Sequence, residues 1–236
     1  MVAMTRFNVM TAHFSNSSEV AGDLAEAVAV VHPSGAYRNA LKRLFDIVFV
    51  FAAGIVILPV VVMVSMIIIA LDGHSPLFFQ QRVGKGGRTF WMVKLRSMVP
   101  DADRRLAAYL KVNATARAEW QRDQKLRDDP RITRIGRFIR KTSLDELPQF
   151  WNVLCGDMSV VGPRPMMPAQ RDLYPGQAYY RMRPGVTGYW QVGDRHNTSF
   201  AARARFDAEY FRDISFPTDM RVILRTLAVV VRGTGC

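Results

Sequence analysis

The chain has 236 residues, a formal net charge of +12 at pH 7 and a hydrophobic share of 49%. This is the composition of a folded protein, with one domain or one domain plus appendages. The excess of cations indicates an anionic partner, which can be a nucleic acid, an anionic membrane surface or a phosphorylated substrate.

Cysteine and histidine usage excludes two further kinds of protein. Cys155 and Cys236 are far apart, so neither a disulfide framework nor a zinc cluster is indicated, and a reducing compartment is expected. The histidines occur singly, without the close pairing that is typical of a histidine metal site. They are His13, His32, His74 and His196.

Residues 1–38 are expected to form a mobile N-terminal tail. They show no sustained amphipathic period, and the sequence "HPSG" at 32–35 ends whatever helix precedes it. This segment lacks the features of a signal peptide, namely a basic region followed closely by an apolar run and a small-residue cleavage site. Export is therefore not indicated.

A membrane segment follows the tail. Residues 48–71 contain no charged residue. A helix formed by this segment is long enough to cross a hydrocarbon core of about 30 Å. Two features favour a re-entrant helix–kink–helix over 39–73 instead of a span. Pro59 bends the helix near its middle, and basic residues flank both ends, which the positive-inside rule places in the cytoplasm.

The next stretch, "SPLFFQQRVGKGGRTFWMVKLRSM", predicts a β-hairpin. Its two apolar runs alternate as strands do, and the glycines of "GKGG" supply positive φ angles for the turn. A Walker phosphate loop is not indicated, because its spacing and its following helix are both missing.

A polar helix with a narrow apolar face is predicted from Asp101 to about Gln124. The sequence "RDDPRIT" then predicts a loop. Toward the C-terminus the residues predict a helix, a break at Pro217 and a basic amphipathic helix. The apolar face of this last helix suits a membrane interface and packing against the domain equally well.

The sequence "TSLDELPQ" places two adjacent carboxylates, Asp145 and Glu146, directly after a run of cations. Ser143 followed three residues later by Glu146 predicts a capping box at a helix start. That pattern accounts for Glu146, but it explains neither Asp145 nor the acid-free upstream run "RITRIGRFIRK". The residues alone therefore leave a helix cap and an active site both open.

Two further motifs are typical of a binding pocket. In "GPRP", Pro163 and Pro165 fix the backbone on either side of Arg164, which limits where the guanidinium can point. A plain turn is the alternative. The later stretch "RMRPGVTGYWQVGDRHNTS" alternates glycines, aromatic residues and cations, as a strand and loop that line a pocket would.

The predicted fold class is α+β and mostly helical. A compact cytoplasmic domain that contains the β-hairpin is fused to a re-entrant, monotopic membrane helix. The predicted domain organisation is a tail over 1–38, the membrane segment over 39–73, and a catalytic domain over 74–236 that ends in the amphipathic helix.

Taken in order, "KLRSM", "RFIRKTSLDELPQFWNVLCGDMSVVGPRP" and "RPGVTGYWQV" resemble the bacterial monotopic phosphoglycosyl transferases. The resemblance runs from about Lys42 to the C-terminus and is strongest to the rhizobial exopolysaccharide-initiating galactose-1-phosphate transferases. It implies an enzyme of the cytoplasmic (inner) membrane, with its catalytic domain on the cytoplasmic face, that moves a sugar-1-phosphate from a UDP-sugar to undecaprenyl phosphate and releases UMP.

The resemblance also implies the roles of particular residues. Asp145 is the expected nucleophile, and it forms a covalent phosphosugar intermediate. Asp145 and Glu146 are the expected Mg²⁺ ligands, and Pro59 is the expected membrane kink. The expected substrate-binding residues are Lys94, Arg96, Arg140, Pro163, Arg164 and Pro165.

The physical chemistry agrees with this assignment. A carboxylate nucleophile divides one transfer between bulky anions into two displacements, and magnesium and arginines offset the repulsion between anions. Mg²⁺ prefers oxygen ligands, so a histidine cluster is not required. Membrane lipids are further expected partners, nucleic acid is not, and a homo-oligomer is possible.

The chain departs from the family pattern at several positions. Leu58 precedes Pro59 where relatives often have serine, and Leu95 replaces a usual phenylalanine. Gly193, Asp194 and Arg195 replace a Ser/Asn-Gly-Arg sequence. The kink and the loop near the sugar are expected to differ accordingly.

Two other functions fit parts of the sequence. A membrane-anchored basic protein that binds nucleic acid or anionic lipid explains the charge, but it leaves Asp145 and Arg164 without a role. A glycosidase with paired acids is disfavoured, because adjacent helical residues diverge by about 100° and cannot flank one bond. The residues do not identify the sugar.

Overall fold

The computed structural model describes residues 35–123, 126, 128–193 and 200–231. Most of the predicted tail lies outside the described residues, as do residues 194–199, which include Asp194, Arg195 and His196. The helices are α1 (Lys42–Asp72), α2 (Ala102–Val112), α3 (Ala114–Asp123), α4 (Arg134–Lys141), α5 (Gln149–Cys155), α6 (Ala178–Arg181), α7 (Tyr189–Val192), α8 (Arg203–Asp213) and α9 (Phe216–Val231). The strands are β1 (Leu77–Val83), β2 (Thr89–Leu95), β3 (Ser159–Val161) and β4 (Gly185–Thr187).

Helix α1 is one element of 31 residues, about 46 Å long. Within the described residues it is the helix that is long and apolar enough to cross a membrane. Pro59 lies inside α1 and does not divide it into two helices. The re-entrant helix–kink–helix over 39–73 stays a prediction. It ends at Gly73, whose φ of 65° continues the chain in the left-handed conformation that glycine favours.

A π-helical turn, Tyr37–Leu41, leads directly into α1. The sequence analysis assigns its first residues to the tail, yet they contact the folded domain. The Tyr37 hydroxyl donates a hydrogen bond of 2.6 Å to Asp219 Oδ2 on α9, and the Lys42 ammonium lies 2.7 Å from the same oxygen.

The predicted β-hairpin is confirmed. Strands β1 and β2 pair antiparallel from Leu77↔Leu95 to Val83↔Thr89, and a 3₁₀ turn joins them. Gly86 in that turn has a φ of 69°. Strand β2 is mostly buried, whereas β1 exposes Phe78 and Phe79.

The single polar helix predicted from Asp101 to Gln124 is wrong. The structure has two helices there, α2 and α3, separated at Asn113. The Asn113 Oδ1 atom accepts a hydrogen bond of 2.9 Å from the Ala116 backbone N–H. Asparagine ends one helix and caps the next because its short side chain bonds the backbone groups that a helix start leaves free.

The main core lies where α1, β2, α5, β3 and α9 meet. Strands β3 and β4 form a second, parallel pair with Ser159 opposite Gly185. This pairing is not among the predictions from the sequence. The buried apolar side chains of this core include Val50, Phe90, Met92, Val153, Val160, Val161, Val222 and Ile223.

The two C-terminal helices are present, but the break between them precedes Pro217. The chain leaves α8 after Asp213, and α9 begins at Phe216. Pro217 lies in the first turn of α9, where the missing N–H removes no helical hydrogen bond. Both open roles of this helix have a structural counterpart, since Ile223 packs in the core and Leu224 is exposed.

Candidate active site

Asp145 and Glu146, the acidic pair, lie in a 3₁₀ turn, Leu144–Glu146, between α4 and α5. The predicted capping box is wrong. Ser143 has a φ of 57° and makes no side-chain cap, and the Glu146 N–H donates to the Ser143 carbonyl at 3.2 Å instead. A left-handed residue other than glycine costs free energy, so surrounding contacts must hold this turn.

Strand β2 brings a lysine to the acidic pair. The Lys94 ammonium lies 2.9 Å from Glu146 Oε1 and 3.9 Å from Asp145 Oδ2. This contact joins residues 52 positions apart along the chain. The predicted grouping of Lys94 with the acidic pair is therefore present in the structure.

Asn152 fixes the helix after the acidic pair against β2. Its Nδ2 donates to the Trp91 carbonyl at 2.8 Å, and its Oδ1 accepts from the Val93 N–H at 3.0 Å. The side-chain amide thus bonds the free edge of β2 as a neighbouring strand would. Because Asn152 is buried, both bonds also satisfy groups that water does not reach.

Arg140 reaches the site from the last turn of α4. Its Nε donates to Ser97 Oγ at 3.0 Å. Helix α4 approaches so closely that a Cβ added at Gly136 would lie 2.0 Å from the Ser97 carbonyl oxygen. Glycine is required here by the close approach of two backbones.

The rest of the cationic run does not converge on the acidic pair. The Arg131 guanidinium pairs instead with Asp129, with 2.7 Å between Nη2 and Oδ2. Arg134, Arg137 and Lys141 are exposed. Of the run upstream of the acidic pair, Arg140 therefore remains near the site, because Arg131 is paired with Asp129 and the other cations of α4 are exposed.

The "GPRP" segment brings in a second arginine. Arg164 Nη2 lies 3.7 Å from Glu146 Oε1. The carbonyls on either side of it are held: Pro163 O accepts from the Gly185 N–H at 2.8 Å, and Pro165 O accepts from Arg82 Nη1 at 3.2 Å. The two prolines thus position Arg164 through their own carbonyl contacts as well as through their fixed φ angles.

Asp145 is 7% exposed, and this burial raises the pKa of its carboxyl group. The Lys94 ammonium opposes that shift, Glu146 adds to it, and the charges of Arg140 and Arg164 again oppose it. Burial is the largest cause because it penalises the charged form. A poorly hydrated carboxylate facing cations is suited to nucleophilic attack on a phosphoryl group that the same cations bind.

Arg96 is a predicted substrate-binding residue for which the described contacts show no link to this cluster. Its backbone N–H donates to the Pro76 carbonyl at 2.7 Å. Pro59, predicted as the membrane kink and not as part of the cluster, lies inside α1.

The sequence reasoning also missed residues close to the site, namely Arg82, Asn152 and Arg203. Asn152 is a polar residue between apolar ones in "QFWNVLC", a signal that marks a residue that needs a partner without saying which one. Arg82 and Arg203 stand in mixed polar stretches, which carry no such signal.

The acidic pair suits magnesium. Mg²⁺ commonly takes one or two carboxylates and completes its shell with waters and substrate phosphate oxygens. Within the described ranges no group of three or more His, Cys, Asp or Glu side chains lies together. Two adjacent carboxylates beside cations are therefore a donor set that fits Mg²⁺ only together with oxygen ligands from elsewhere, such as substrate phosphate.

A buried carboxylate among cations, on a domain that carries a long apolar helix, fits a membrane-associated enzyme that acts on phosphate groups. The family comparison agrees with this class. Residues 37–233 match the family model described as "Bacterial sugar transferase". The chain therefore belongs to the bacterial sugar transferase family, which confirms the resemblance to bacterial phosphoglycosyl transferases and the prediction of an enzyme.

Similar proteins differ in how much of their length the chain covers. The "UDP-galactose-lipid carrier transferase" of Erwinia amylovora is 44% identical over 197 residues, 83% of this chain but 41% of that protein. The "Exopolysaccharide production protein ExoY" of Sinorhizobium fredii is 36% identical over 223 residues, 94% of this chain and 97% of that protein. The "Undecaprenyl-phosphate galactose phosphotransferase" of Salmonella typhimurium is 43% identical over 197 residues, 83% of this chain and 41% of that protein.

Proposed function

We propose that the protein transfers a sugar-1-phosphate, galactose or glucose phosphate, from a UDP-sugar to undecaprenyl phosphate, as the first membrane step of exopolysaccharide synthesis. The observation that carries the proposal is the buried Asp145 carboxylate among Lys94, Arg140 and Arg164. The family match and the names of the similar proteins support the class of donor and acceptor.

In the first displacement, an Asp145 carboxylate oxygen attacks the β-phosphorus of the UDP-sugar. A bond forms between that oxygen and phosphorus, and the bond from phosphorus to the bridging oxygen of the diphosphate breaks. UMP leaves with the electron pair. The sugar phosphate remains as a mixed anhydride on Asp145, and no net proton transfer is required.

In the second displacement, a phosphate oxygen of undecaprenyl phosphate attacks the same phosphorus. The bond between phosphorus and Asp145 breaks, the carboxylate is regenerated, and the sugar leaves on a lipid diphosphate. Both steps bring one anion toward another. Lys94, Arg140 and Arg164 offset that repulsion from fixed positions, so little reorganisation is needed in the transition state.

Asp145 and Glu146 would hold the magnesium ion, which when bound neutralises charge on the phosphate oxygens. Lys94 bonds Glu146 directly and lies farther from Asp145. This arrangement leaves Asp145 without a close ion pair to Lys94, while the Lys94 ammonium orients Glu146. Glu146 thus has a holding role and Asp145 the nucleophilic role.

The contacts of α1 support a monotopic arrangement in the cytoplasmic membrane. Near its start, Asp46 Oδ1 accepts hydrogen bonds of 3.0 Å from Ser159 Oγ and from the Val160 N–H. Near its end, Ile68 is fully buried in a cluster with Leu95 and Ile139. Both ends of α1 therefore contact one globular domain, which favours entry and exit at the same membrane face.

The transferase proposal is tested by intact-protein mass spectrometry of the chain in nanodiscs, incubated with Mg²⁺ and a panel of UDP-sugars without undecaprenyl phosphate. We expect a hexose-phosphate mass increase that Asp145→Asn abolishes. Asp101→Asn is the matched control, because Asp101 is exposed at the start of α2, and it should form the adduct normally. An adduct that persists in Asp145→Asn would refute the assignment of the nucleophile.

The monotopic arrangement is tested separately by cysteine labelling. In a chain in which Cys155 and Cys236 are replaced by alanine, Gly35→Cys and His74→Cys place one thiol before and one after α1. An impermeant maleimide should label both in inverted membrane vesicles and neither in intact spheroplasts. Opposite labelling of the two sites would establish a span and contradict the proposed topology.

A further inference from the structure

The first turns of α1 contact the segment that connects two charged parts of the active site. This segment runs from the end of α5, through Gly156, to the start of β3. Glu146 lies three residues before α5, and Arg164 lies three residues after β3. The contacts that fix β3 relative to α5 therefore also fix Arg164 relative to Glu146.

Asp46 holds the β3 side of this segment. Its Oδ1 atom accepts hydrogen bonds of 3.0 Å from Ser159 Oγ and from the Val160 N–H, which belong to the first two residues of β3. Arg43 holds the α5 side, because its guanidinium donates to the Leu154 carbonyl at 2.9 Å. Residues three apart are neighbours on a helix surface, so one face of α1 binds both sides of the connection.

Stability does not account for an aspartate at position 46. Its side chain is buried, with 1% of the residue exposed, and a carboxylate removed from water costs free energy. Lys42 offsets this only in part, since its ammonium lies 2.7 Å from Asp219 Oδ2 and 3.9 Å from Asp46 Oδ1. In the part of the chain that the structure describes, Asp46 Oδ2 is buried without a hydrogen-bond partner. An apolar side chain of similar volume avoids these costs, so we look for another role.

The third residue of β3 is held by the same group of side chains. The Tyr210 hydroxyl lies 3.1 Å from the Val161 carbonyl oxygen and 2.7 Å from Asp219 Oδ1. Lys42 lies between Asp219 and Asp46 and joins the two carboxylates. Every residue of β3 is therefore in contact with this buried polar group, which belongs to α1, α8 and α9.

The backbone between β3 and Arg164 has little freedom. A Cβ added at Gly162 would lie 2.4 Å from the Arg183 carbonyl oxygen, so the two backbones pack directly against each other. Pro163 and Pro165 then fix the φ angles on either side of Arg164. A displacement of β3 is therefore transmitted to Arg164, because closely packed backbones do not absorb it.

We propose that Asp46 is a positioning residue for sugar-phosphate transfer, which acts by holding β3 and thereby the Arg164 guanidinium at its place beside Glu146. This inference rests on the proposed function. Arg164 Nη2 lies 3.7 Å from Glu146 Oε1, next to the carboxylate that receives the phosphosugar. A misplacement of about 1 Å can slow a reaction about 100-fold, so a contact far from the reacting atoms affects the rate.

The first test compares rates of hexose-phosphate adduct formation in nanodiscs, with UDP-galactose and UDP-glucose as parallel donors. We expect Asp46→Leu to slow the reaction about tenfold. Asp46→Asn keeps an oxygen acceptor for Ser159 and Val160, so it should restore most of the rate. Asp72→Leu is the matched control, because Asp72 is a carboxylate at the opposite end of α1, and it should leave the rate unchanged. An Asp46→Leu rate equal to that of the wild type, or an Asp46→Asn rate as low as that of Asp46→Leu, would overturn the inference.

The second test determines whether Asp46 acts through Arg164. The Kd of UDP-galactose and of UDP-glucose is measured by equilibrium dialysis in full chains that carry Asp145→Asn, so that binding is observed without turnover. We expect Asp46→Leu to raise the Kd about tenfold where Arg164 is present, and to have little effect in Arg164→Met. A general loss of stability would act equally in both backgrounds. Equal factors in the two backgrounds therefore contradict a positioning role.

Ser159→Ala replaces Asp46→Leu in both tests if the leucine variant does not fold. It removes one of the two donors to Asp46 and leaves the Val160 bond, so the expected losses are smaller but again require Arg164. A wild-type chain that forms no adduct with any UDP-sugar refutes the transferase proposal. A wild-type chain that forms the adduct, with equal responses in the two Arg164 backgrounds, refutes the role of Asp46 alone.

Discussion

The guanidinium of Arg43, in the first turn of α1, donates a hydrogen bond of 2.9 Å to the carbonyl of Leu154 in the last turn of α5. A second bond from the same group reaches the Val153 carbonyl. The last carbonyls of a helix lack partners within the helix and carry a partial negative charge, which a cation satisfies. Because α5 begins three residues after Glu146, this contact connects α1, through α5, to the segment that carries the acidic pair.

We therefore predict that Arg43→Met lowers the free energy of unfolding by about 1–3 kcal/mol and slows adduct formation. The variant keeps the apolar stem, so it should stay membrane-bound. Thermal unfolding in nanodiscs and the adduct rate are the measurements. Arg104→Met, which removes an 86% exposed cation of α2, is the control. If Arg43→Met behaved like Arg104→Met, the hydrogen bonds from Arg43 to α5 would not contribute to stability or to the rate of adduct formation.

Lys94→Met is predicted to slow adduct formation about 100-fold at pH 7. The Lys94 ammonium opposes the burial that raises the pKa of Asp145. Its removal is expected to raise that pKa further, so less of the nucleophile is ionised at any given pH within its titration range. The rate should rise with pH in both proteins, and its midpoint should move to higher pH in the variant.

The matched control for that experiment is Lys85→Met, because Lys85 is exposed in the hairpin turn of the same β-hairpin. It should preserve both the rate and the pH midpoint. An unchanged midpoint in Lys94→Met would indicate that the lysine acts on the substrate phosphate alone.

Ser143 offers a test of backbone strain next to the nucleophile. At its φ of 57°, glycine is unstrained and a β-branched residue is strongly disfavoured. We predict that Ser143→Gly raises the thermal midpoint slightly. Ser143→Val should lower the free energy of unfolding by about 1–2 kcal/mol. Equal midpoints for these two variants would mean that the turn adopts another conformation in solution.

The raised pKa of Asp207 predicts that the stability of the folded protein depends on pH. Burial raises its pKa from the ordinary value of 3.8 to about 7, although the Tyr174 hydroxyl and Arg203 oppose the shift. The folded state then binds this proton more tightly than the unfolded state. Its contribution to stability is full below pH 3.8 and is lost as the pH rises toward 7, by roughly 1.4 kcal/mol per unit at most.

Asp207→Asn should remove most of that pH dependence while keeping an acceptor for Tyr174. Thermal unfolding at pH 5 and pH 7.5 measures the effect, with a smaller difference expected in the variant than in the wild type. Asp213→Asn is the matched control, because Asp213 lies on the same helix as Asp207 and accepts an exposed hydrogen bond from Tyr189. An Asp207→Asn profile that matches the wild type would contradict the prediction.

Local patterns in the sequence determined the parts of this protein that depend on neighbours along the chain. Alternation and glycines predicted the hairpin of β1 and β2, and the uncharged run predicted α1. The acidic pair and the "GPRP" arginine were identified from their motifs. Where a short polar side chain competes with the helix, as Asn113 does between α2 and α3, the same local reasoning placed a boundary wrongly.

Only the tertiary structure decided which cations belong to the site. Lys94 meets Glu146 across 52 positions of sequence, and Arg131 pairs with Asp129 although it stands in the same run as Arg140. The hydrogen bonds from Arg43 to the last turn of α5 likewise join distant segments. A pattern along the chain predicts which side chains share a face. The partner of a buried charge depends on how those faces pack against each other. A charge removed from water is stable only where the fold brings a counter-charge or a hydrogen-bonding group to it.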